Sequence, residues 1–139
     1  MNRELKFRVW DKLEKRYLKI TPLSKHHYVL DLDGKFHNLQ NGSGGNEYVV
    51  EQFTGLKDVN GQEIYEGDIV EYCDGQKLPV CMGQYFTGFE RRDSHYGWYL
   101  SSNEAISDLA LDERYAVDEY GVEIIGNINE NPELLNMKN

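Results

Sequence analysis

Apolar residues along this chain come in short alternating runs, and turn-forming residues interrupt them every few positions. Phe7 and Val9, then Tyr17, Leu18 and Ile20, fit two short strands joined through residues 12–15. Runs 27–32 and 35–39 flank Asp33-Gly34, a dipeptide that supplies the two positive-φ residues of a tight hairpin. Residues 41–46, Asn-Gly-Ser-Gly-Gly-Asn, have the most flexible composition in the chain and mark the expected boundary between regions 1–46 and 47–139. Segment 48–53 predicts the next strand, closed by Thr54-Gly55. Asn60-Gly61 predicts another hairpin, residues 65–68 another turn, and 69–72 a strand with alternating sides. After Asp74-Gly75 come a strand near 80–86, with a bend or bulge at Gly83, and a short one at 97–100. Ser101 or Ser102 caps an expected short helix through Ile106. Residues 122–128 read as the last strand, and Pro132 opens a helical turn where its missing N–H costs nothing. So many short strands and turns predict a small barrel or sandwich rather than a parallel sheet.

The density of turns between Gln52 and Val70 admits two explanations: a loop that does chemistry, or the corners of a small barrel. Corners are favoured, because a small barrel must turn its chain sharply several times and a catalytic loop would bring a nucleophile, a base or a metal cluster that this stretch lacks. At 139 residues one ordinary domain can bury a core without metals or disulfides. Ten tyrosines suit a β protein. No run approaches the roughly 20 apolar residues that span a bilayer, and charges scattered through the first residues are unlike a signal peptide, so the expected location is cytoplasmic. A net charge of −9 opposes general capture of phosphate backbones. Bases gather near the start (Arg3, Lys6, Arg8, Lys12, Lys15, Arg16, Lys19, Lys25), and acids dominate from Glu104 to Glu123. This asymmetry fits either a head-to-tail contact between copies or two solvated faces.

Candidate chemistry is sparse. Cys73 and Cys81 have neither redox nor zinc spacing and read as small half-buried residues. Residues 58–63 faintly resemble a calcium loop, but lack its full set of oxygen ligands and its flanking helices. Glu66 and Asp68 are close enough for acid–base work, yet an Asp before an apolar strand more often binds turn N–H groups. His26, His27 and His37 sit near one predicted hairpin without an acid or cysteine at metal-binding spacing. Neither a nucleophile elbow nor a P-loop occurs. Arg91 and Arg92 lie among aromatics that include Trp98, in an expected loop over 87–96. Such a mixture on a barrel can stack single-stranded nucleic acid, although it also suits a core beside a polar loop.

Gln52-Phe53-Thr54-Gly55-Leu56-Lys57-Asp58, Asn60-Gly61 and Ile64-Tyr65-Glu66-Gly67-Asp68-Ile69-Val70 resemble the signature of the YopX family, small proteins of bacteriophages and prophages. Residues 6–11 resemble the family's opening segment, and Ile124 to Ile128 with Asn131 to Leu135 its closing one. The resemblance implies a mainly β protein. An SH3-like small barrel would occupy 47–139, with a smaller N-terminal β region over 1–46 and short helices. It implies a phage or prophage accessory protein in the cytoplasm. No activity, catalytic set, metal or cofactor comes with it. Gly55, Asn60, Gly61, Tyr65, Gly67, Asp68 and Gly126 are expected to serve structure. The expected function is binding of a protein partner or of further copies, with no membrane partner. The alternative is nucleic-acid binding through the barrel and the 87–96 loop, using Arg91, Arg92 and Trp98.

Overall fold

The computed structural model describes residues 5–24, 27–40, 42, 44, 47–71, 75, 77–87, 93–101, 106–108 and 122–135. Their order is β1 (Phe7–Asp11), β2 (Arg16–Tyr17), β3 (Tyr28–Leu30), β4 (Phe36–Asn38), β5 (Tyr48–Lys57), β6 (Glu63–Tyr65), β7 (Asp68–Glu71), β8 (Lys77–Thr87), β9 (Asp93–Ser101), β10 (Ile106–Asp108) and β11 (Glu123–Asn127), then a 3-10 turn at Pro132–Leu135. The protein is mainly β. Among the described residues three antiparallel sheets form, ordered β2-β1-β5-β6, β10-β9-β8-β7-β11 and β3-β4.

Lys6–Gln52 form one compact unit, and the described residues from Phe53 onward belong to a second. The division falls within β5, later than the 46/47 boundary read from the glycine-rich segment. Composition marks where a chain can bend, and carries no signal for where a strand changes partners. Phe7–Gln52 and Asp11–Tyr48 register the first half of β5 on β1, and Phe53 pairs with Tyr65 of β6 in the second half.

In the unit from Phe53 onward, two-residue periodicity builds the core. Leu78 and Val80 on β8, Leu100 on β9, Val70 on β7, Ile64 on β6 and Val122 are buried together. Val70 is registered to Leu78 on one side and Ile124 on the other, and Val80 to Leu100. One apolar face therefore runs across neighbouring strands. Each fully buried aliphatic side chain contributes about 1.5–3 kcal/mol. In the Lys6–Gln52 unit, Phe36 is 5% exposed. Its ring stacks on Tyr28 at 5.4 Å and meets Tyr48 edge-on at 5.0 Å. Trp10 meets Tyr17 edge-on at 5.0 Å.

Several sequence expectations need correction. The helix expected from Ser101 gives way to an antiparallel pair, with Ser101 registered to Ile106 and Tyr99 to Asp108. Residues 102–105 lie outside the described residues. No α-helix occurs among the described residues, because the segments with capping signals are too short to propagate one. The closing helical turn is 3-10. The strand that Thr54-Gly55 was expected to close continues to Lys57, and its register is irregular between Phe53 and Lys57. Of the loop expected over 87–96, Thr87 and residues 93–96 are ladder, and residues 88–92 lie outside the described residues. Thr87 pairs with Asp93, Phe86 with Ser94, Tyr85 with His95 and Gln84 with Tyr96. Aromatic and β-branched residues favour extended backbone, and pairing satisfies N–H and C=O groups that a loop would leave to water.

Candidate functional site

The residues of the signature converge on the corners that join β5, β6, β7 and β11. Asp58 follows β5 and is 2% exposed. Its Oδ1 accepts hydrogen bonds from Asn60 N and Gln62 N, both at 2.9 Å, and its Oδ2 accepts one from Ile124 N at 3.0 Å. The Val59 N–H donates to Val122 O at 3.1 Å, and Asn60 Nδ2 to Glu123 Oε2 at 3.1 Å. One carboxylate thus closes the β5–β6 corner and fastens it to β11.

The next corner uses the same chemistry. Tyr65 N donates to Asp68 Oδ2 at 2.7 Å, and Asp68 is 2% exposed. Between them, Gly67 has φ +88°. Its N–H donates to Val80 O at 3.0 Å, and its carbonyl accepts from Ile128 N at 2.8 Å. A residue with a Cβ is disfavoured at that φ, so the two bonds that tie this corner to β8 and to the end of β11 depend on glycine. Gly55 and Gly61 also have positive φ, at +90° and +81°. Gly126 sits at the bulge in the β7–β11 register, and a Cβ there would lie 2.6 Å from Asn131 Oδ1.

Side-chain acceptors close other corners too. Asp11 Oδ1 accepts from Leu13 N and Glu14 N, at 2.9 and 3.1 Å. Asp31 Oδ1 accepts from Asp33 N and Lys35 N, at 2.9 and 2.8 Å. Asn127 Oδ1 accepts from Asn129 N and Glu130 N, at 3.1 and 2.8 Å. In the Lys6–Gln52 unit the buried Glu51 takes Arg8 Nε and the Tyr17 hydroxyl, both at 2.8 Å from Oε1. The Arg8 guanidinium also lies 4.7 Å from the Tyr17 ring centre.

These bonds decide what the carboxylates can do. The six residues read as a faint calcium loop spend both Asp58 oxygens on backbone N–H groups, and no cluster of three or more His, Cys, Asp or Glu able to hold a metal occurs among the described residues. His37 Nε2 lies 3.0 Å from Asp31 Oδ2. The His37 ring, then the Lys35 N–H, hold the Asp31 carboxyl below its ordinary range. His26 lies outside the described residues. Cys81, registered to Tyr99 across β8–β9, has its thiol pushed up by burial and by the negative Glu66, against a hydrogen bond from Tyr99. A raised thiol pKa opposes nucleophilic use, because the thiolate is the reactive form. Cys73, Arg91 and Arg92 lie outside the described residues. Trp98 packs against the buried core of its unit.

Sequence reasoning placed the corners and the Asp68 turn but passed over Asp58 as a clamp. The signal was present, since an Asp two residues before Asn-Gly can reach the N–H groups of its own turn. Its long-range bond to Ile124 had no local signal.

A mainly antiparallel β protein with acid-clamped corners is the class that this geometry defines. The family model described as YopX protein matches residues 6–136, and the chain belongs to that family of bacteriophage and prophage proteins, whose members are not known as enzymes. The crystal structure of protein EF1440 from Enterococcus faecalis is similar, with a TM-score of 0.58 and 27% identity over 95% of this chain and 98% of that one. No curated protein matches. Among the described residues no helix is long and apolar enough to cross a membrane.

Proposed function

We propose that this chain is a non-enzymatic phage or prophage accessory protein that works in the cytoplasm by binding a protein partner or further copies of itself. The observation that carries this reading is the use of the buried acids. Asp58 and Asp68 direct carboxylate oxygens at backbone N–H groups, which supports a turn-holding role over the calcium reading of residues 58–63 and the acid–base reading of Glu66 with Asp68. Membership of a family without known enzymes supports it. The five-stranded sheet β10-β9-β8-β7-β11, with β6 contributing Ile64 to its core, supports an SH3-like barrel from Phe53 onward as the binding scaffold. Gly55, Asn60, Gly61, Tyr65, Gly67, Asp68 and Gly126 then serve to hold that scaffold's corners.

The test is affinity capture from a bacterial lysate with and without nuclease, followed by mass spectrometry. A protein retained after nuclease is the expected result. Capture lost with nuclease would overturn it in favour of nucleic acid, and replacement of Arg91 and Arg92 would then locate the contact.

A further inference from the structure

Exposed bases and a strained backbone coincide at the turn between β1 and β2. These strands pair as Trp10–Tyr17 and Asp11–Arg16, so residues 12–15 make the connection. Asp11 Oδ1 accepts the Leu13 and Glu14 N–H groups, and Asp11 O accepts the Lys15 N–H at 2.7 Å. Lys15 has φ +56°, and every other described residue at positive φ is a glycine. Glycine or asparagine takes that conformation at less cost, so a lysine there points to a use for its side chain. Lys12, Lys15 and Arg16 are exposed and form no ion pair among the described residues, and the same holds for Lys19. Leu13 stands among them, 73% exposed. Arg8, by contrast, is committed to Glu51.

The charge of the surrounding unit has the same sign. Lys6–Gln52 carries eight Lys and Arg against six Asp and Glu, whereas the rest of the chain carries seven against eighteen. Three of those six acids are engaged inside the unit: Asp11 by turn N–H groups, Asp31 by His37 and Glu51 by Arg8. The tip therefore offers positive charge that its own unit does not neutralise, and its complement is an anion. A nucleic-acid backbone would take the charge but leave Leu13 without an aliphatic contact, and it would meet the acidic remainder of the chain. Glu14, exposed at the same tip, would repel a uniform row of phosphates as well. A protein surface can set carboxylates against the bases, an aliphatic side chain against Leu13 and a polar group against Glu14. We propose that the β1–β2 tip docks onto an acidic protein surface that carries leucine or similar aliphatic side chains between its carboxylates. The bases steer and register the encounter, and burial of Leu13 supplies the apolar part. This names the partner class for the protein-binding function proposed above and rests on that function.

Fluorescence anisotropy of the full chain with two labelled peptides tests it, one repeating Glu-Leu-Glu-Glu and one of equal length made of glutamate alone. The leucine-bearing peptide is expected to bind more tightly, and both to weaken as salt rises. K12E/K15E/R16E should lose both peptides at an unchanged melting temperature. L13S should lose only the preference for leucine. K15G should bind both peptides severalfold more weakly while keeping the wild-type melting temperature, because glycine relieves the left-handed strain. Tighter binding of a labelled DNA duplex than of either peptide, equal binding of the two peptides, or a K12E/K15E/R16E or K15G chain that binds like wild type would each overturn the proposal. Capture from nuclease-treated lysate separates this surface from the function it rests on. A protein retained equally by wild type and K12E/K15E/R16E would overturn the surface and leave the binding function standing. Peptide binding by a chain that retains no protein would sink that function and leave the surface.

Discussion

Asp58 and Ile124, at opposite ends of the second unit's sequence, are joined by a 3.0 Å hydrogen bond from the Ile124 N–H to Asp58 Oδ2. The other carboxylate oxygen holds Asn60 and Gln62. Asp58→Ala therefore strands three N–H groups around a buried site. It should cost about 2–4 kcal/mol, read as a lower urea midpoint at unchanged m. Asp58→Asn can keep its carbonyl on Asn60 and Gln62 while its amide opposes the Ile124 N–H. Hydrogen exchange in that variant should quicken at Ile124 and stay slow at Gln62. Equal quickening at both would show that the two oxygens do not divide the work.

Gly67 is buried at φ +88°, with both backbone groups engaged. Gly67→Val adds left-handed strain to overpacking and should cost about 2–4 kcal/mol. Gly61→Ala is the control: its φ is +81°, but nothing lies within 4 Å of the added Cβ. It should cost only the strain, about 1 kcal/mol. Thermal melts of the two variants check the ordering. A Gly67→Val protein with the wild-type melting temperature and lost partner capture would make that corner a contact surface instead.

Gly126 has ordinary φ, so its constraint is space. An added Cβ would meet Asn131 Oδ1 at 2.6 Å and Cγ at 2.9 Å. Asn131 cannot swing away freely, because Oδ1 accepts the Asn127 N–H at 3.2 Å and its own N–H donates to Asn127 O at 2.8 Å. Gly126→Ala should destabilise strongly alone and much less in an Asn131→Ala background. A double-mutant cycle should return a coupling of about 1–2 kcal/mol. Additive losses would remove the steric explanation.

Asp31 carries the pH dependence of the β3–β4 hairpin. Its carboxyl is held below the ordinary value of 3.8 by His37 first and the Lys35 N–H second. A depressed carboxyl pKa gives stability that is present above the unfolded value and lost as pH falls through the folded one. An NMR titration of the Asp31 carboxyl carbon should place its midpoint below 3.8 in the wild type and closer to that value in His37→Ala. An unmoved midpoint would assign the shift to the turn N–H groups alone.

Corners were the most legible feature of this sequence. Asp33-Gly34, Asn60-Gly61 and Glu66-Gly67-Asp68 each carry a glycine at positive φ, with an aspartate that accepts turn N–H groups within three residues of it (Asp31, Asp58 and Asp68), so local chemistry suffices to find them. The Ser101 segment misled for the opposite reason. A capping serine is a local preference, and cross-strand pairing of Ser101 with Ile106 outweighed it. The β8–β9 ladder that takes in Thr87 and residues 93–96, and the Asp58–Ile124 bond, depend on ladder formation or on partners distant in sequence. No window of neighbouring residues reveals either. Glu51 shows the same limit: buried at 2% exposure, it is explained by Arg8 and Tyr17, which reach it from β1 and β2 of its sheet.

The Asn60-Gly61 corner has a bearing on how this protein ages. Asparagine before glycine is lost when the following backbone nitrogen attacks the side-chain carbonyl to form a succinimide. Here that nitrogen belongs to Gly61, whose N–H is donated to Asp58 O at 3.0 Å, while the Asn60 amide is held by Glu123. Nucleophile and target are both restrained as long as the corner stays folded. The slow appearance of aspartate and isoaspartate at position 60 would therefore act as a chemical clock, recording how often the β5–β6 corner comes open during the life of the molecule.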